Sequence, residues 1–162
     1  MVVKLDMSKA YDQVECDCLE KSILKMGFQV KWVNIMIRYV KSVSYSIKIN
    51  GRPQGHITPT QSLRQGDPFS PYLFFICAKS LSALLKKNVD NGLMKGAATC
   101  SRGLEISHLF VTDDSLIFCR ATREDCSSLE HVLETYEQAS GQQLNRDKAS
   151  LKLNHEVLIH YC

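Results

Sequence analysis

The 162-residue sequence predicts a single α+β domain in which helices pack on one face of an antiparallel sheet. Three observations carry that expectation. Apolar residues recur at helical spacing in four separate segments, short β-prone runs lie between those segments, and two pairs of these runs are joined as hairpins. The resulting order, β–α–α–ββ–α–ββ–α–β, belongs with α+β architectures, and the length is about one domain on the usual scale of roughly 100–200 residues.

Val2-Val3-Lys4-Leu5 is a β-prone run that leads straight into Asp6. From Asp12 to about Met26, Val14, Cys18, Leu19 and Ile23 recur at helical spacing, and Gly27 follows where a C-terminal cap belongs. Trp32, Ile35, Met36, Tyr39, Val40 and Val43 make a complete stripe over 31–43. Tyr45, Ile47 and Ile49 alternate with polar residues and run into Asn50-Gly51, a pair that tolerates positive φ at both positions, so a hairpin is expected at 44–57. Ser70-Pro71 matches an N-cap followed by proline at the first helical position, and the nearly continuous apolar run Tyr72–Leu85 marks a buried central helix. Asp90–Gly103, with three glycines, reads as loop. Leu104–Val111 and Leu116–Cys119 are strand-like runs separated by Thr112-Asp113-Asp114-Ser115, which puts two adjacent carboxylates at a hairpin tip. Thr122 and Asp125 form a capping box that opens a helix closed by Gly141, and Leu151 with Leu153 suggest a last strand.

Composition excludes several classes. An apolar fraction of 44% and a charged fraction of 23% are those of an ordinary folded domain. The net charge of +3 permits a polyanionic partner without requiring one; a positive field would need Lys4, Lys9, Arg64, Lys86, Lys87 and Lys148 gathered on one side. The seven cysteines include no repeated CxxC pair, and Cys77 and Cys119 lie in apolar runs as core residues. With no basic-then-apolar leader and no uninterrupted apolar stretch of about 20 residues, the expected setting is intracellular, nuclear or cytoplasmic, without secretion or membrane insertion.

Asp6 at the end of one strand and Asp113-Asp114 at a hairpin tip would converge if the first strand pairs beside that hairpin. Clustered carboxylates repel one another unless cations bind, and two divalent ions about 4 Å apart are what phosphoryl transfer by the two-metal route requires. Taken singly, Asp-Asp in a tight turn is also ordinary turn chemistry, and Asp6 is equally a surface strand end or helix cap.

Four ordered blocks resemble a known family. Lys4-Leu5-Asp6-Met7-Ser8-Lys9-Ala10-Tyr11-Asp12 resembles the first palm motif of LINE-type (non-LTR) and group II intron reverse transcriptases. Leu63-Arg64-Gln65-Gly66-Asp67-Pro68-Phe69-Ser70-Pro71-Tyr72-Leu73 is similar to the second, and His108–Phe118 to the third, which carries the aspartate pair. Ser140-Gly141-Gln142-Gln143-Leu144-Asn145 with Lys148 and Ser150 resembles the motif after the palm helix, and the intervening text looks most like plant LINE copies. The resemblance covers about residues 1–153.

It implies a polymerase palm and an RNA-directed DNA polymerase: two-metal nucleotidyl transfer to a primer 3′-hydroxyl, with Mg²⁺ or Mn²⁺ as cofactor. Asp6 and Asp113 would be the principal metal ligands, Asp114 would lie nearby, and the Met7 carbonyl would complete one ion's shell. Tyr11 falls at the position of a steric gate against the ribose 2′-hydroxyl; the other reading is a buried ring packing on Trp32 or Tyr39. Gln65 and Gly66 would contact the incoming nucleotide and Arg64 the template or a phosphate, while Gly66-Asp67-Pro68 is also a plain turn before the helix. Lys148 would stand near the pyrophosphate leaving group as a candidate proton donor, or simply be solvated. Partners in the intact parent would be an RNA template, a DNA primer and deoxynucleoside triphosphates, with no membrane.

The sequence also departs from the family pattern. Val111-Thr112 replaces the aromatic-Ala pair before Asp113-Asp114, and Cys16, Cys18, Gln61 and Ser62 stand where Trp, an aromatic, a basic residue and Gly are expected. Residues 1–153 read as a partial domain, with fingers and thumb missing, and 154–162 as a C-terminal tail, so a truncated copy is expected. The alternative function is a catalytically inactive remnant or a domesticated RNA- or protein-binding module. An unrelated metal-dependent hydrolase would need water-positioning His or Glu residues, and His108 is the one candidate.

Overall fold

Strand β1 (Val2–Ser8) alternates buried and open positions along its length, so Val3, Leu5 and Met7 share one face and Lys4 and Asp6 the other. The computed structural model describes residues 1–8, 10–59, 61, 63–98, 105–111, 114–152 and 158–159. It divides into two compact units, one comprising 1–10 and 79–162, the other 11–78.

In the first unit β1 is paired on both sides. The other strands are β4 (Ala97–Ala98), β5 (Glu105–Ile106), β6 (His108–Val111), β7 (Asp114–Phe118), β8 (Gln143–Leu144), β9 (Ser150–Lys152) and β10 (Leu158–Ile159). The main sheet runs β10-β9-β1-β7-β6, all neighbours antiparallel, with β8 also on β1 and with β4 and β5 forming a separate ribbon. Val3, Leu5, Met7, Ser115 and Ile117 make the buried face of the sheet. Buried stripes of the covering helices, Leu81 and Leu85 of α3 (Ser70–Asp90) and Leu129, Val132 and Tyr136 of α4 (Arg123–Ser140), complete this core. The helices thus lie on one side of the sheet, as the alternation in β1 requires.

Helix α4 is delimited by the signals its sequence carries. The Asp125 N–H donates to Thr122 Oγ1, and Gly141 closes the helix at φ +74°. Asp125 is fully buried, and it accepts from the Arg120 guanidinium and from the Arg120 and Lys95 N–H groups. Burial alone would raise its pKa; the Arg120 guanidinium and these N–H groups outweigh that and hold it down at about 2.

The second unit holds α1 (Cys16–Lys25), α2 (Val30–Lys41), the hairpin β2 (Tyr45–Ile49) and β3 (Arg52–Ile57), and the start of α3. Leu19 and Ile23 of α1 and Val33, Ile37 and Val40 of α2 are buried, each worth roughly 1.5–3 kcal/mol when fully removed from water. Asn50 (φ +49°) and Gly51 (φ +82°) form the expected two-residue turn.

Several boundaries differ from the sequence expectation: β1 runs past Asp6 to Ser8, β7 begins at Asp114 rather than Leu116 because Asp114 and Ser115 pair with β1, and α2 ends at Lys41. Helix α1 starts at Cys16, not Asp12, because Glu15 is extended and bridges to Gln61. Helix α3 begins at Ser70 itself: the Phe69 carbonyl accepts from Leu73 N–H, and Asp67 Oδ1 caps the Phe69 N–H at 2.8 Å. The run expected as one strand to Val111 is divided at Ser107, whose carbonyl instead accepts from Phe118 N–H. Residues 97–98, expected in a loop, pair with β5.

Candidate active site

Register decides where the carboxylates stand. Antiparallel pairing of β1 with β7 sets Val2 opposite Phe118 and Asp6 opposite Asp114, so these two aspartates are direct cross-strand neighbours on the face away from the helices. Like charges directly opposite one another oppose pairing. Each is compensated by a lysine: Lys4 Nζ lies 2.8 Å from Asp114 Oδ2, and Lys148 Nζ lies 3.5 Å from Asp6 Oδ2. Asp6 is the more enclosed, its side chain 19% exposed against 43% for Asp114. The bond to Asp114 pushes the Lys4 pKa above its ordinary value, so the ammonium is the stable form.

Lys148 arrives from the connection between β8 and β9. Asn145 N–H donates to the Asp6 carbonyl at 2.8 Å, and the Asn145 carbonyl accepts from Lys148 and Ala149, a turn that swings Lys148 back over β1. Gln142, almost fully buried, bonds the Tyr136 hydroxyl and donates to the Ala10 carbonyl at 2.8 Å, fixing the start of this loop to the end of the strand that carries Asp6. Met7 points its side chain into the core.

The other expected residues belong to the second unit. Tyr11 is half-buried and its ring stacks on Phe74 at 5.0 Å, a different partner from Trp32 and Tyr39, the two the packing alternative offered. The Tyr11 carbonyl accepts from Leu63 N–H, which brings the 63–66 loop alongside; Gln65 Nε2 reaches Asp12 Oδ1 at 3.5 Å. Gly66 has φ +82° with open space where a Cβ would stand, so its backbone, not crowding, calls for glycine. Arg64 is exposed. Asp113 and Thr112 lie outside the described residues, and so does the expected closeness of Asp6 to Asp113.

The family model for reverse transcriptase (RNA-dependent DNA polymerase) matches residues 1–159. The chain belongs to the reverse transcriptase family. This reverse transcriptase domain is 35% identical over 127 residues to a retrovirus-related Pol polyprotein from the type-1 retrotransposable element R2 of Nasonia vitripennis, covering 74% of the chain and 11% of the polyprotein. It is 45% identical over 67 residues to an uncharacterized mitochondrial protein of Arabidopsis thaliana, covering 41% of the chain and 55% of that protein. The chain therefore spans about half the length of one relative and a small part of the other. Its fold matches telomerase from Candida tropicalis in complex with a fragment of telomeric RNA, with a TM-score of 0.70 at 15% identity, over 96% of this chain and 26% of that one.

The donor set of the reverse transcriptase domain suits a hard divalent ion: carboxylate oxygens facing each other on an open sheet face, now neutralised by two ammonium groups. Among the described residues no three His, Cys, Asp or Glu side chains converge. Sequence reasoning missed the ion pair of Lys4, although the strand period places it two residues from Asp6 on the same face. Among the described residues no helix is long and apolar enough to cross a membrane.

Proposed function

We propose that this domain is the palm of a LINE-type, non-LTR retroelement reverse transcriptase that adds deoxynucleotides to a primer 3′-hydroxyl on an RNA template inside the cell. The observation that supports it most is the in-register pairing of Asp6 with Asp114 on the open sheet face, with Lys148 beside Asp6. Asp6, Asp113, Asp114 and the Met7 carbonyl would hold Mg²⁺ or Mn²⁺, which when bound supply charge stabilisation to the transferring phosphoryl group. Lys148, already beside Asp6, holds a proton for the departing pyrophosphate. Tyr11, steadied by Phe74, gates the ribose 2′-hydroxyl; Gln65 and Gly66 meet the nucleotide and Arg64 the template or a phosphate. Titration with Mn²⁺ tests the site: the wild-type chain should bind weakly, because substrate phosphates supply part of the shell, and Asp6→Asn with Asp113→Asn should bind at least about ten-fold more weakly still. Equal binding by both would remove the metal assignment.

A second reading, an inactive remnant or domesticated binding module, is favoured by Val111-Thr112 before the aspartate pair and by the Lys4 ammonium held on Asp114. Residues 1–150 joined to the fingers and thumb of an active relative separate the two. Primer extension by that chimera supports polymerase chemistry; extension that appears only after Val111→Tyr and Thr112→Ala supports the remnant, since displacement of reacting groups by about 1 Å costs on the order of 100-fold.

A further inference from the structure

Residues 21–66 contain eight of the twenty Lys and Arg residues and none of the seventeen Asp and Glu, so this stretch carries +8 in a chain whose total is +3. The stretch lies within the second unit, and all eight basic side chains are exposed. Helix α2 concentrates the effect. Its buried stripe is Val33, Ile37 and Val40. On the outward side two stripes share Ile35: Lys31, Ile35 and Arg38 at i, i+4, i+7, and Trp32, Ile35 and Tyr39 at i, i+3, i+7. Ile35 is 59% exposed and Trp32 39%. Phe28 stacks on Trp32 at 4.8 Å, and both rings remain partly exposed. Among the described residues neither Lys31 nor Arg38 has an ion-pair partner; two acids from outside the stretch do reach α2, Asp17 pairing with Lys41 and Asp67 accepting from the Tyr39 hydroxyl.

We infer that the outward face of α2 is an accessory binding surface for single-stranded RNA, built from residues other than the carboxylates. The Lys31 and Arg38 side chains take phosphates and the Phe28–Trp32 pair offers a ring on which a base stacks. Charge selects this occupant. A second copy of the chain would bring another +8 against the first, whereas a polynucleotide releases its counterions on meeting the unpaired cations. The choice of RNA rests on the reverse transcriptase reading; the surface itself does not depend on the metal site.

Fluorescence anisotropy with a labelled, mixed-sequence RNA of about 20 nucleotides tests the full chain. Lys31→Glu with Arg38→Glu should weaken binding at least about ten-fold and flatten the plot of log K against log salt by about 1.4, the share of two phosphate contacts on a single strand. Lys31→Gln with Arg38→Gln guards against misfolding of the reversed variant and should flatten the plot equally. Trp32→Ala should weaken binding about ten-fold with the slope unchanged. Lys86→Glu with Lys87→Glu, the same charge change on the exposed end of α3, should leave affinity within about two-fold. The Mn²⁺ titration reads the metal assignment by itself, so failure of that assignment is distinguishable from failure here. Equal loss in the Lys86/Lys87 variant, no RNA binding by the wild-type chain, or a DNA strand bound ten-fold tighter than RNA would overturn the inference. So would a wild-type dimer that Trp32→Ala converts to a monomer.

Discussion

Lys4 and Lys148 do for Asp114 and Asp6 what a cation would do: they let two like charges face each other across a strand pair. The Lys4 pKa is raised by its bond to Asp114, so the electrostatic contribution is complete below the ordinary lysine range and is lost only as pH rises above it. On the proposed metal assignment, the ammonium would compete with a cation for Asp114 below that range. Lys4→Gln is therefore expected to tighten Mn²⁺ binding by about two- to five-fold, read by titration beside the wild-type chain, the size of effect an exposed ion pair provides. Unchanged or weaker binding would show that Lys4 does not compete. That Asp6 follows a strand run was legible in Val2-Val3-Lys4-Leu5, although β1 continues past it to Ser8. The pairing of Lys4 with Asp114 was not, since it depends on which residue of β7 stands opposite Asp6. Burial of Cys77 and Cys119 was legible from the apolar runs around them, and desolvation pushes their thiols up to about 12 and about 11.

At the scale of elements, strong local chemistry was readable and weak local chemistry was not. The Asn50-Gly51 turn, the Thr122–Asp125 box and the Gly141 cap each act through neighbouring backbone and appear where expected. Strands β4, β5, β8 and β10 have two residues each, too few to show a period, and exist because a partner strand passes beside them. The start of α1 was misplaced for a related reason. Helical spacing begins at Asp12, but the extended conformation of Glu15, which bridges to Gln61, postpones the helix. Gly66 offers a measurable case. Because its φ is +82° and nothing crowds the missing Cβ, Gly66→Ala should destabilise the chain by about 1 kcal/mol in a urea titration, through backbone strain alone. A loss near zero would mean the loop shifts out of the left-handed region.

Across the whole molecule, the charge is uneven in a way the total conceals: +8 within residues 21–66 and −5 over the remainder. Sequence inspection for contiguous basic runs passes over such a stretch, because its lysines and arginines are spaced and what marks it is the missing acids. The antiparallel core of the first unit is the other global feature. Since Asp6 and Asp114 lie on its open face, they add little to its stability, and Asp6→Asn is expected to change the unfolding free energy by less than about 1 kcal/mol in thermal melts. A large loss would make Asp6 a structural residue. The strand period then sets two unequal fates for a gene copy that decays. A lost codon within β1 moves every following side chain to the opposite face, driving Asp6 toward the core and Val3 toward water, and fold and site perish together. On the proposed function a substituted codon at Asp6 would leave a chain that folds as before without its chemistry, so among aged copies a well-folded product would be no record of activity.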